Sequence, residues 1–276
     1  MAAARGGPPC RRRGHCACKP AARKPPFIST PWGRPLAAGG RGGTAAVGSG
    51  TLAAIQCPHG VFMFTGLVEA LGTVVDRIDQ PPGIRLVVEA GIVADDAAIG
   101  ASICVSGCCL SVVGIEGSQL AFELGPETLV KTGLGAARPG SRVNLERSLK
   151  LSDRLGGHLV TGHVDAVGRL ETKAEDGGWV SCRFWMPAAL GGQVVPKGSI
   201  AVDGVSLTVV DVFPTGFSVA LIPHTLAETT LGGLVEGDGV NLETDLVGKY
   251  VTGRIEAWLA AAAVGPPATG SRETRA

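Results

Sequence analysis

Two stretches of the sequence decide the fold: GASICVSGCCLSVV at residues 100–113 and KGSIAVDGVSLTVV at residues 197–210. A shift of 97 residues superimposes them, and the match continues without a gap, so that residues 101–146 fall on residues 198–243. Nineteen of these 46 positions are identical, which is several times what chance gives. Self-similarity at a fixed period indicates a duplicated structural unit.

The segments that precede these stretches repeat as well. FTGLVEALG (64–72) falls on VTGHVDAVG (160–168) at a shift of 96, with five of nine residues identical. PETL at residues 126–129 is matched by PHTL at 223–226. VNLE at residues 143–146 occurs again, unchanged, at 240–243. The chain therefore contains two tandem copies of one unit of about 97 residues, from Met63 to about Val247.

Each copy has the pattern of short β-strands. Runs rich in Val, Ile and Leu, such as IRLVVEA, SICVSG, CLSVVGI and QLAFEL, alternate with Gly, Pro and Asp turns at a spacing of about 8–12 residues. This pattern favours a small closed antiparallel barrel, which leaves no sheet edge exposed.

One stretch of the first copy could be mistaken for a membrane span. Residues 97–115 carry no charge over nineteen positions, close to the length that crosses a bilayer. The second copy of the same stretch contains Lys197 and Asp203, and two copies of one fold should share one environment. We therefore interpret residues 97–115 as two barrel strands around a glycine turn and predict no membrane partner.

The pattern changes to a helical one near the C-terminus. Apolar residues recur on one stripe at positions 247, 250, 251, 255, 258, 259 and 262, as expected for an amphipathic helix. Gly265, Pro266 and Pro267 end it. Because no second helix of the chain is predicted to cover the stripe, we expect self-association, and we predict disorder over residues 265–276.

The N-terminal segment differs in composition from the remainder. Residues 1–62 carry nine Lys and Arg and no acid, whereas residues 63–276 carry sixteen Lys and Arg and twenty-four acids. A globular part of net charge −8 is a poor polyanion binder, so we predict no nucleic-acid partner. Low complexity predicts disorder over residues 1–62. An upstream misreading with Met63 as the true initiator is favoured, and a transit peptide and a basic binding arm remain alternatives.

The cysteines give no strong signal for a metal or a disulfide framework. Those of the N-terminal segment lack CxxC spacing, so a zinc site with His15 and His59 is disfavoured. Cys104 and Cys182 lie in apolar strand-like runs and are interpreted as core residues, which suits a reducing compartment. No nicotinamide-, ATP- or zinc-binding motif is present, and we predict no cofactor.

The two copies predict two similar pockets with unequal chemistry. Both place small polar residues after a Gly turn and a threonine in a Pro-x-Thr-Leu turn, namely Cys109, Ser111 and Thr128 in one copy and Ser206, Thr208 and Thr225 in the other. These donors and acceptors suit a hydroxylated heteroaromatic ligand. The copies differ where Cys109 corresponds to Ser206, Leu67 to His163 and Glu127 to His224, which indicates two bound molecules with different roles.

Five ordered motifs together resemble the riboflavin synthase family, the trimeric α-chain type with two lumazine-binding repeats. They are MFTGLVEALGTV from Met63, GCCLSV at 107–112, GGHLVTGHVD at 156–165, VDGVSLTVV at 202–210 and IPHTLAETTL at 222–231. The resemblance covers about residues 63–260. Cys108, where relatives commonly have a small aliphatic residue, and Ser111, where Thr is common, are mild departures.

The resemblance implies a cofactor-free dismutation. Two molecules of 6,7-dimethyl-8-ribityllumazine give riboflavin and 5-amino-6-ribitylamino-uracil by transfer of a four-carbon unit. It also implies a homotrimer, in which the N-barrel of one subunit meets the C-barrel of a neighbour, and a possible association with lumazine synthase. The C7 methyl of lumazine is an unusually acidic carbon acid, so a modest base suffices, and orienting two flat rings is the harder requirement.

The resemblance assigns site residues position by position. One pocket uses Gly66, Leu67, Val68, Ser206, Leu207, Thr208 and the turn Ala220, Leu221, Ile222, Pro223, His224, Thr225. The other uses Cys109, Leu110, Ser111, Gly162, His163, Val164 and the turn Glu123, Leu124, Gly125, Pro126, Glu127, Thr128. Lys197 is implied as a contact from the neighbouring subunit.

Three residues match positions linked to catalysis: Cys109, Ser102 and His163. Our hypothesis is that His163 assists proton transfer and that Cys109 or Ser102 assists addition at the acceptor lumazine. A non-catalytic lumazine- or flavin-binding protein of the same fold is the alternative, and polar pockets in both copies favour the enzyme.

The predicted fold is all-β, with two tandem duplicated six-stranded antiparallel barrels of Greek-key type and a C-terminal α-helix. The predicted division of the chain is an N-terminal extension (1–62), barrel 1 (63–158), barrel 2 (159–246), a trimerisation helix (247–264) and a tail (265–276). We expect a cytoplasmic protein, or a plastid one if the extension is a transit peptide.

Overall fold

The computed structural model describes residues 63–264. Within them lie two closed barrels of six antiparallel strands each, followed by a helix, so the predicted fold class is confirmed. The predictions for residues 1–62 and 265–276, including the disorder and the disfavoured zinc site, fall outside the described residues.

Barrel 1 closes in the strand order β1-β2-β5-β4-β3-β6. Every neighbouring pair is antiparallel, and bulges in β1 and β4 let short strands curve round. Its strands are β1 (Ala70–Gln80), β2 (Gly83–Glu89), β3 (Ser102–Val105), β4 (Cys108–Glu116), β5 (Gln119–Leu124) and β6 (Arg142–Arg147).

Barrel 2 repeats this arrangement and closes in the order β10-β11-β8-β7-β12-β9. Its bulges fall in β7 and β10, the counterparts of the bulged strands of barrel 1. The strands are β7 (Ala166–Asp176), β8 (Trp179–Trp185), β9 (Ser199–Val202), β10 (Val205–Phe213), β11 (Gly216–Leu221) and β12 (Gly239–Thr244).

Each barrel encloses its own apolar core. Phe122 and Leu86 are fully buried in the first core, and Phe184 stacks on Phe217 with ring centroids 5.6 Å apart in the second. Cys104 and Cys182 are buried among apolar residues, as predicted. A third small cluster, formed by Phe64, Cys104, Val160 and Ala201, joins the two barrels.

The two Pro-x-Thr-Leu segments differ from the prediction. They form short helices instead of turns, α1 (Pro126–Lys131) and α2 (Pro223–Glu228). In both, proline occupies the first helical position, where its fixed φ favours a helix and its missing N–H costs nothing. The threonine of each segment therefore lies on a helix, whose N-cap residue follows directly after the last residue of β5 or β11.

The C-terminal helix α3 (Leu246–Val264) packs lightly on barrel 2. Its contacts include the Thr252 hydroxyl, which donates to the carbonyl of Gly192 at 3.0 Å, and an ion pair of 2.8 Å between Lys249 and Asp165. The apolar residues Val247, Tyr250, Val251, Ile255, Trp258 and Leu259 are exposed. No helix among the described residues is long and apolar enough to span a membrane.

Candidate functional site

The segments that enter the two barrels cross over each other. Phe64 and Val160 pair as an isolated antiparallel bridge, with N–H to O distances of 2.7 and 3.1 Å. Beyond the bridge, each segment packs on the other barrel, since Val68 contacts the core of barrel 2 and Val164 that of barrel 1. Each barrel therefore receives a loop from the segment that leads into the other one. We call these two loops, at residues 65–68 and 161–164, the first and second crossing loops.

A glycine in each crossing loop lies directly on a polar residue of the opposite barrel. The N–H of Ser206 donates to the carbonyl of Gly66 at 2.8 Å, and that of Cys109 to Gly162 at 2.8 Å. Both glycines have positive φ, +77° and +76°, and a Cβ on either would lie 2.5 Å from the Cβ of its partner. Only glycine permits this approach.

A cavity opens beside each of these contacts. Cavity 1, of about 300 Å³, is lined by Cys108, Cys109, Glu127, Thr128, Lys131, Thr132, Gly162, His163 and Val164. Cavity 2, of about 310 Å³, is lined by Val205, Ser206, His224, Thr225, Glu228, Thr229, Gly66, Leu67 and Val68. The nine residues correspond one to one under the sequence repeat. Both volumes lie at the lower end of the range of about 300–1,000 Å³ found for small-molecule sites.

Cys109 gives cavity 1 a thiol. Burial raises the pKa of Cys109, and a hydrogen bond from Ser102 acts in the opposite direction. Ser102 is itself buried and lies one strand away on β3. The pair therefore presents a thiol that is mostly protonated at neutral pH, with a hydroxyl beside it.

At cavity 2, Ser206 pairs with His158, a residue that lies just before the repeated segment. Nδ1 of His158 lies 2.7 Å from Oγ of Ser206. His158 is only 8% exposed, and its burial lowers the pKa of the imidazole, with Asp245 acting in the opposite direction. Nε2 is buried and has no hydrogen-bond partner among the described residues. A neutral imidazole next to a hydroxyl that faces a cavity is suited to accept a proton through that hydroxyl.

The structure brings together about half of the residues that the sequence assigned to the pockets. Twelve of them line the cavities: Cys109, Glu127, Thr128, Gly162, His163 and Val164 in one, and Gly66, Leu67, Val68, Ser206, His224 and Thr225 in the other. The remaining assigned residues do not line either cavity: Leu110, Ser111, Glu123, Leu124, Gly125, Pro126, Leu207, Thr208, Ala220, Leu221, Ile222 and Pro223. Lys197 lies in the loop before β9, also away from both cavities.

Seven residues at the cavities were missed from the sequence. Six form three pairs under the repeat, so either member indicates the other only once one of them is known to line a cavity: Cys108 and Val205, Lys131 and Glu228, Thr132 and Thr229. The seventh, His158, has no such signal, since its position precedes the repeated segment. Only its place in the GGHLVTGHVD motif could have indicated it.

A larger opening, of about 480 Å³, lies between the barrels away from Cys109 and Ser206. Asn241, which lines it, donates from Nδ2 to the carbonyl of Ser106 at 2.7 Å, and Asn144 donates to the carbonyl of Asp203 at 2.8 Å. This opening contains none of the assigned site residues, and its polar groups hold the barrels together. Residues 63–264 contain no cluster of three potential metal ligands.

Comparisons with known proteins agree with this architecture. The model of the lumazine binding domain matches the chain twice, at residues 65–148 and 161–245. Riboflavin synthase from Mycobacterium tuberculosis is 47% identical over 193 residues, covering 68% of this chain and 96% of the relative. Riboflavin synthase from Bacillus subtilis is 37% identical over 189 residues, covering 68% and 88%.

A solved structure shares the fold. LumP complexed with 6,7-dimethyl-8-(1'-D-ribityl) lumazine aligns with a TM-score of 0.60 at 23% identity, covering 66% of this chain and 99% of that chain. The two matched domains, together with the identity and coverage of the curated relatives, show that the chain belongs to the riboflavin synthase family.

Proposed function

We propose that this chain is a transferase that converts two molecules of 6,7-dimethyl-8-ribityllumazine into riboflavin and 5-amino-6-ribitylamino-uracil. The observation that carries the proposal is the pair of equivalent cavities, which differ in the polar residues that line them. A protein that binds one chromophore needs one such cavity. A reaction between two identical molecules needs two, with different chemistry in each.

The proton is removed at cavity 2. Ser206 faces this cavity and lies in hydrogen-bond contact with the buried His158. A lumazine bound there with its C7 methyl toward Oγ of Ser206 can transfer a proton to the hydroxyl oxygen as the hydroxyl proton moves to Nδ1. Because the ring delocalises the resulting anion, a neutral imidazole is a sufficient base.

The second molecule is attacked at cavity 1. Cys109 is positioned to assist the addition, with the Ser102 hydroxyl beside it, and His163 lines the same cavity and can exchange a proton with the ring. A base in one cavity and groups that assist addition in the other divide the chemistry between the barrels.

The proposed reaction needs no cofactor. One molecule gains the four carbons that the other loses, so the atoms of two substrates equal those of the two products and no electrons are left over. Binding supplies the main contribution, because it orients two flat rings toward each other.

We further propose that the active form is a homotrimer in which a cavity of one subunit faces the other kind of cavity on a neighbour. The exposed apolar residues of α3 support self-association, since such a surface on one helix indicates an interface. Association with lumazine synthase and a cytoplasmic location remain predictions.

The test incubates the full chain with 6,7-dimethyl-8-ribityllumazine alone. Riboflavin is followed by absorbance, and lumazine consumed is counted against riboflavin formed. Two consumed for each one formed, without added cofactor, is expected. Tight binding without riboflavin would instead establish the non-catalytic binding protein that the likeness to the LumP fold keeps as second candidate.

A further inference from the structure

The VNLE motif is identical in both copies, yet none of its residues lines cavity 1 or cavity 2. Its last residue is Glu146 on β6 and Glu243 on β12. These side chains are 5% and 3% exposed, and neither forms an ion pair within residues 63–264. A buried carboxylate without a cation is costly unless it is fully hydrogen-bonded, so its contacts indicate what it does.

Glu146 binds the first crossing loop. Its Oε1 accepts the N–H of Thr65 at 2.6 Å and the hydroxyl of Thr65 at 2.8 Å, and its Oε2 accepts the N–H of Gly66 at 3.0 Å. The Thr65 hydroxyl in turn accepts the N–H of Leu67 at 3.3 Å. One carboxylate therefore binds two successive residues of the loop directly, and the Thr65 hydroxyl that it accepts from binds the third.

Glu243 binds the second crossing loop in the same way. It accepts the N–H and the hydroxyl of Thr161, both at 2.7 Å, and the N–H of Gly162 at 2.9 Å. The Thr161 hydroxyl accepts the N–H of His163 at 3.4 Å. Burial raises the pKa of both glutamates, and these hydrogen bonds act in the opposite direction because they favour the ionised form.

Each carboxylate belongs to one barrel, whereas the loop that it holds forms the wall of the cavity on the other. Glu146 is on barrel 1, but Gly66 and Leu67 line cavity 2. Glu243 is on barrel 2, but Gly162 and His163 line cavity 1. We propose that Glu146 and Glu243 are positioning residues, each of which sets the wall of the cavity on the opposite barrel.

This role in catalysis rests on the proposed function, whereas the crossed arrangement can be tested without it. A Glu→Gln change is the sharpest perturbation, because the amide keeps one acceptor and turns a donor toward the glycine N–H. The loop then loses a hydrogen bond to a charged group, and the Gly66–Ser206 or Gly162–Cys109 contact should open more often.

The test uses alkylation of Cys109 by iodoacetamide in the full chain, followed site by site with peptide mass spectrometry. Glu243→Gln should make Cys109 react about tenfold faster, the size expected for one lost hydrogen bond of this kind. Glu146→Gln, on the same barrel as Cys109, should leave its rate unchanged. Rates are measured across pH, so that a change in the thiol pKa caused by the lost charge is separated from a change in access.

The repeat supplies the matched reverse experiment. In a Ser206→Cys background, the introduced thiol reports on cavity 2. Glu146→Gln should then accelerate that thiol about tenfold, and Glu243→Gln should leave it unchanged. Thr65→Val and Thr161→Val are milder versions that keep both carboxylate charges, and they should give the same crossed pattern with smaller increases.

The buried Cys182 serves as the internal control for unfolding, because the charges of both glutamates act on the pKa of Cys104. Equal acceleration of all buried thiols, or acceleration in the barrel that carries the mutated glutamate, would overturn the proposal. Unchanged alkylation rates in all four variants, the two Glu→Gln and the two Thr→Val changes, would overturn it as well. If the crossed pattern appears but the unmodified chain makes no riboflavin from lumazine, the proposed function fails and the positioning of the cavity walls stands.

Discussion

The two barrels share one strand order although most of their aligned side chains differ. The residues that build the crossing are the same in both, as in the pairs Gly66 and Gly162 or Glu146 and Glu243. Five of the nine pairs of residues that line the cavities differ, for example Cys109 where barrel 2 has Ser206, and Leu67 where the other loop has His163. The residues that hold the crossing loops are therefore the same in the two copies, whereas more than half of the residues that line the cavities, where a ligand would bind, have changed.

One difference concerns a residue that supports the fold and not a cavity, in the hairpin that joins β3 to β4 in barrel 1 and β9 to β10 in barrel 2. The hairpin of barrel 1 turns through Ser106, and that of barrel 2 through Asp203, both with positive φ. The two side chains make equivalent hydrogen bonds, since Oγ of Ser106 accepts the N–H of Asn144 at 3.1 Å and a carboxylate oxygen of Asp203 accepts that of Asn241 at 2.8 Å. The carboxylate brings a buried titratable group that its counterpart lacks, and this has consequences for stability.

The largest expected effect is the pH dependence of stability that Asp203 contributes, since its counterpart in barrel 1 is a serine. Burial raises the pKa of Asp203 from 3.8 to about 7, with the Asn241 N–H acting in the opposite direction. The folded state thus binds the proton more tightly than the unfolded chain. The stabilisation is complete below about pH 4 and is lost as pH rises through 7, at most about 4 kcal/mol. Urea unfolding across this range should show the decline.

Asp203→Ser copies barrel 1 and should flatten this dependence, because the hydroxyl still accepts the Asn241 N–H. Ser106→Asp should introduce a similar decline into barrel 1. If Asp203→Ser unfolds with the same pH profile as the parent chain, another group is responsible and the comparison of the two hairpins fails.

The next effect concerns the hydrogen-bonded pair of His158 and Ser206 at cavity 2. His158→Gln and Ser206→Ala should each lower kcat about 100-fold, the lower end of the contribution of general acid–base catalysis. The double variant should be no slower than either single one, because the two residues act as a unit. Lumazine fluorescence checks that binding is retained. Losses that multiply in the double variant would show independent roles.

A smaller effect is expected when the polar residue of cavity 1 is made equal to that of cavity 2. Cys109→Ser replaces a thiol by a much less acidic hydroxyl and should lower turnover about tenfold while lumazine still binds. His163→Gln in the same cavity tests proton exchange. Near-normal turnover in both variants would contradict the division of labour between the cavities.

The smallest effect is expected from removing residues 1–62. Within residues 63–264, the residues that line the two cavities lie between Gly66 and Thr229, so a chain starting at Met63 should form riboflavin at an unchanged rate. Parallel assays of the two chains measure this. A large loss of turnover would place part of the site in the N-terminal segment.

Local patterns and the repeat were sufficient to predict the barrels and the helix α3, whereas most of the site residues on the two crossing loops were assigned through the family resemblance. Internal similarity also identified Cys109 and Ser206 as equivalent, and the structure places both at cavities. These features are encoded over short stretches or by direct comparison of the two copies.

Contacts between distant segments could not be predicted from the sequence. The VNLE match was visible, but the partners of Glu146 lie about 80 residues away, and no periodicity reports a pairing of that kind. His158 was missed for a related reason, since its role depends on Ser206, 48 residues later. The short helices α1 and α2 were missed because Pro-x-Thr-Leu fits a turn as well as a first helical turn.

The crossing loops also bear on how such a molecule could arise. Two separate copies of one barrel, exchanging loops as a symmetric dimer, would have identical cavities by necessity, because a single sequence would encode both. Fusing the copies through residues 148–165 removes that constraint and lets each half change alone. Neither half encodes a whole cavity, so the fused pair is inherited as one unit while its two halves specialise.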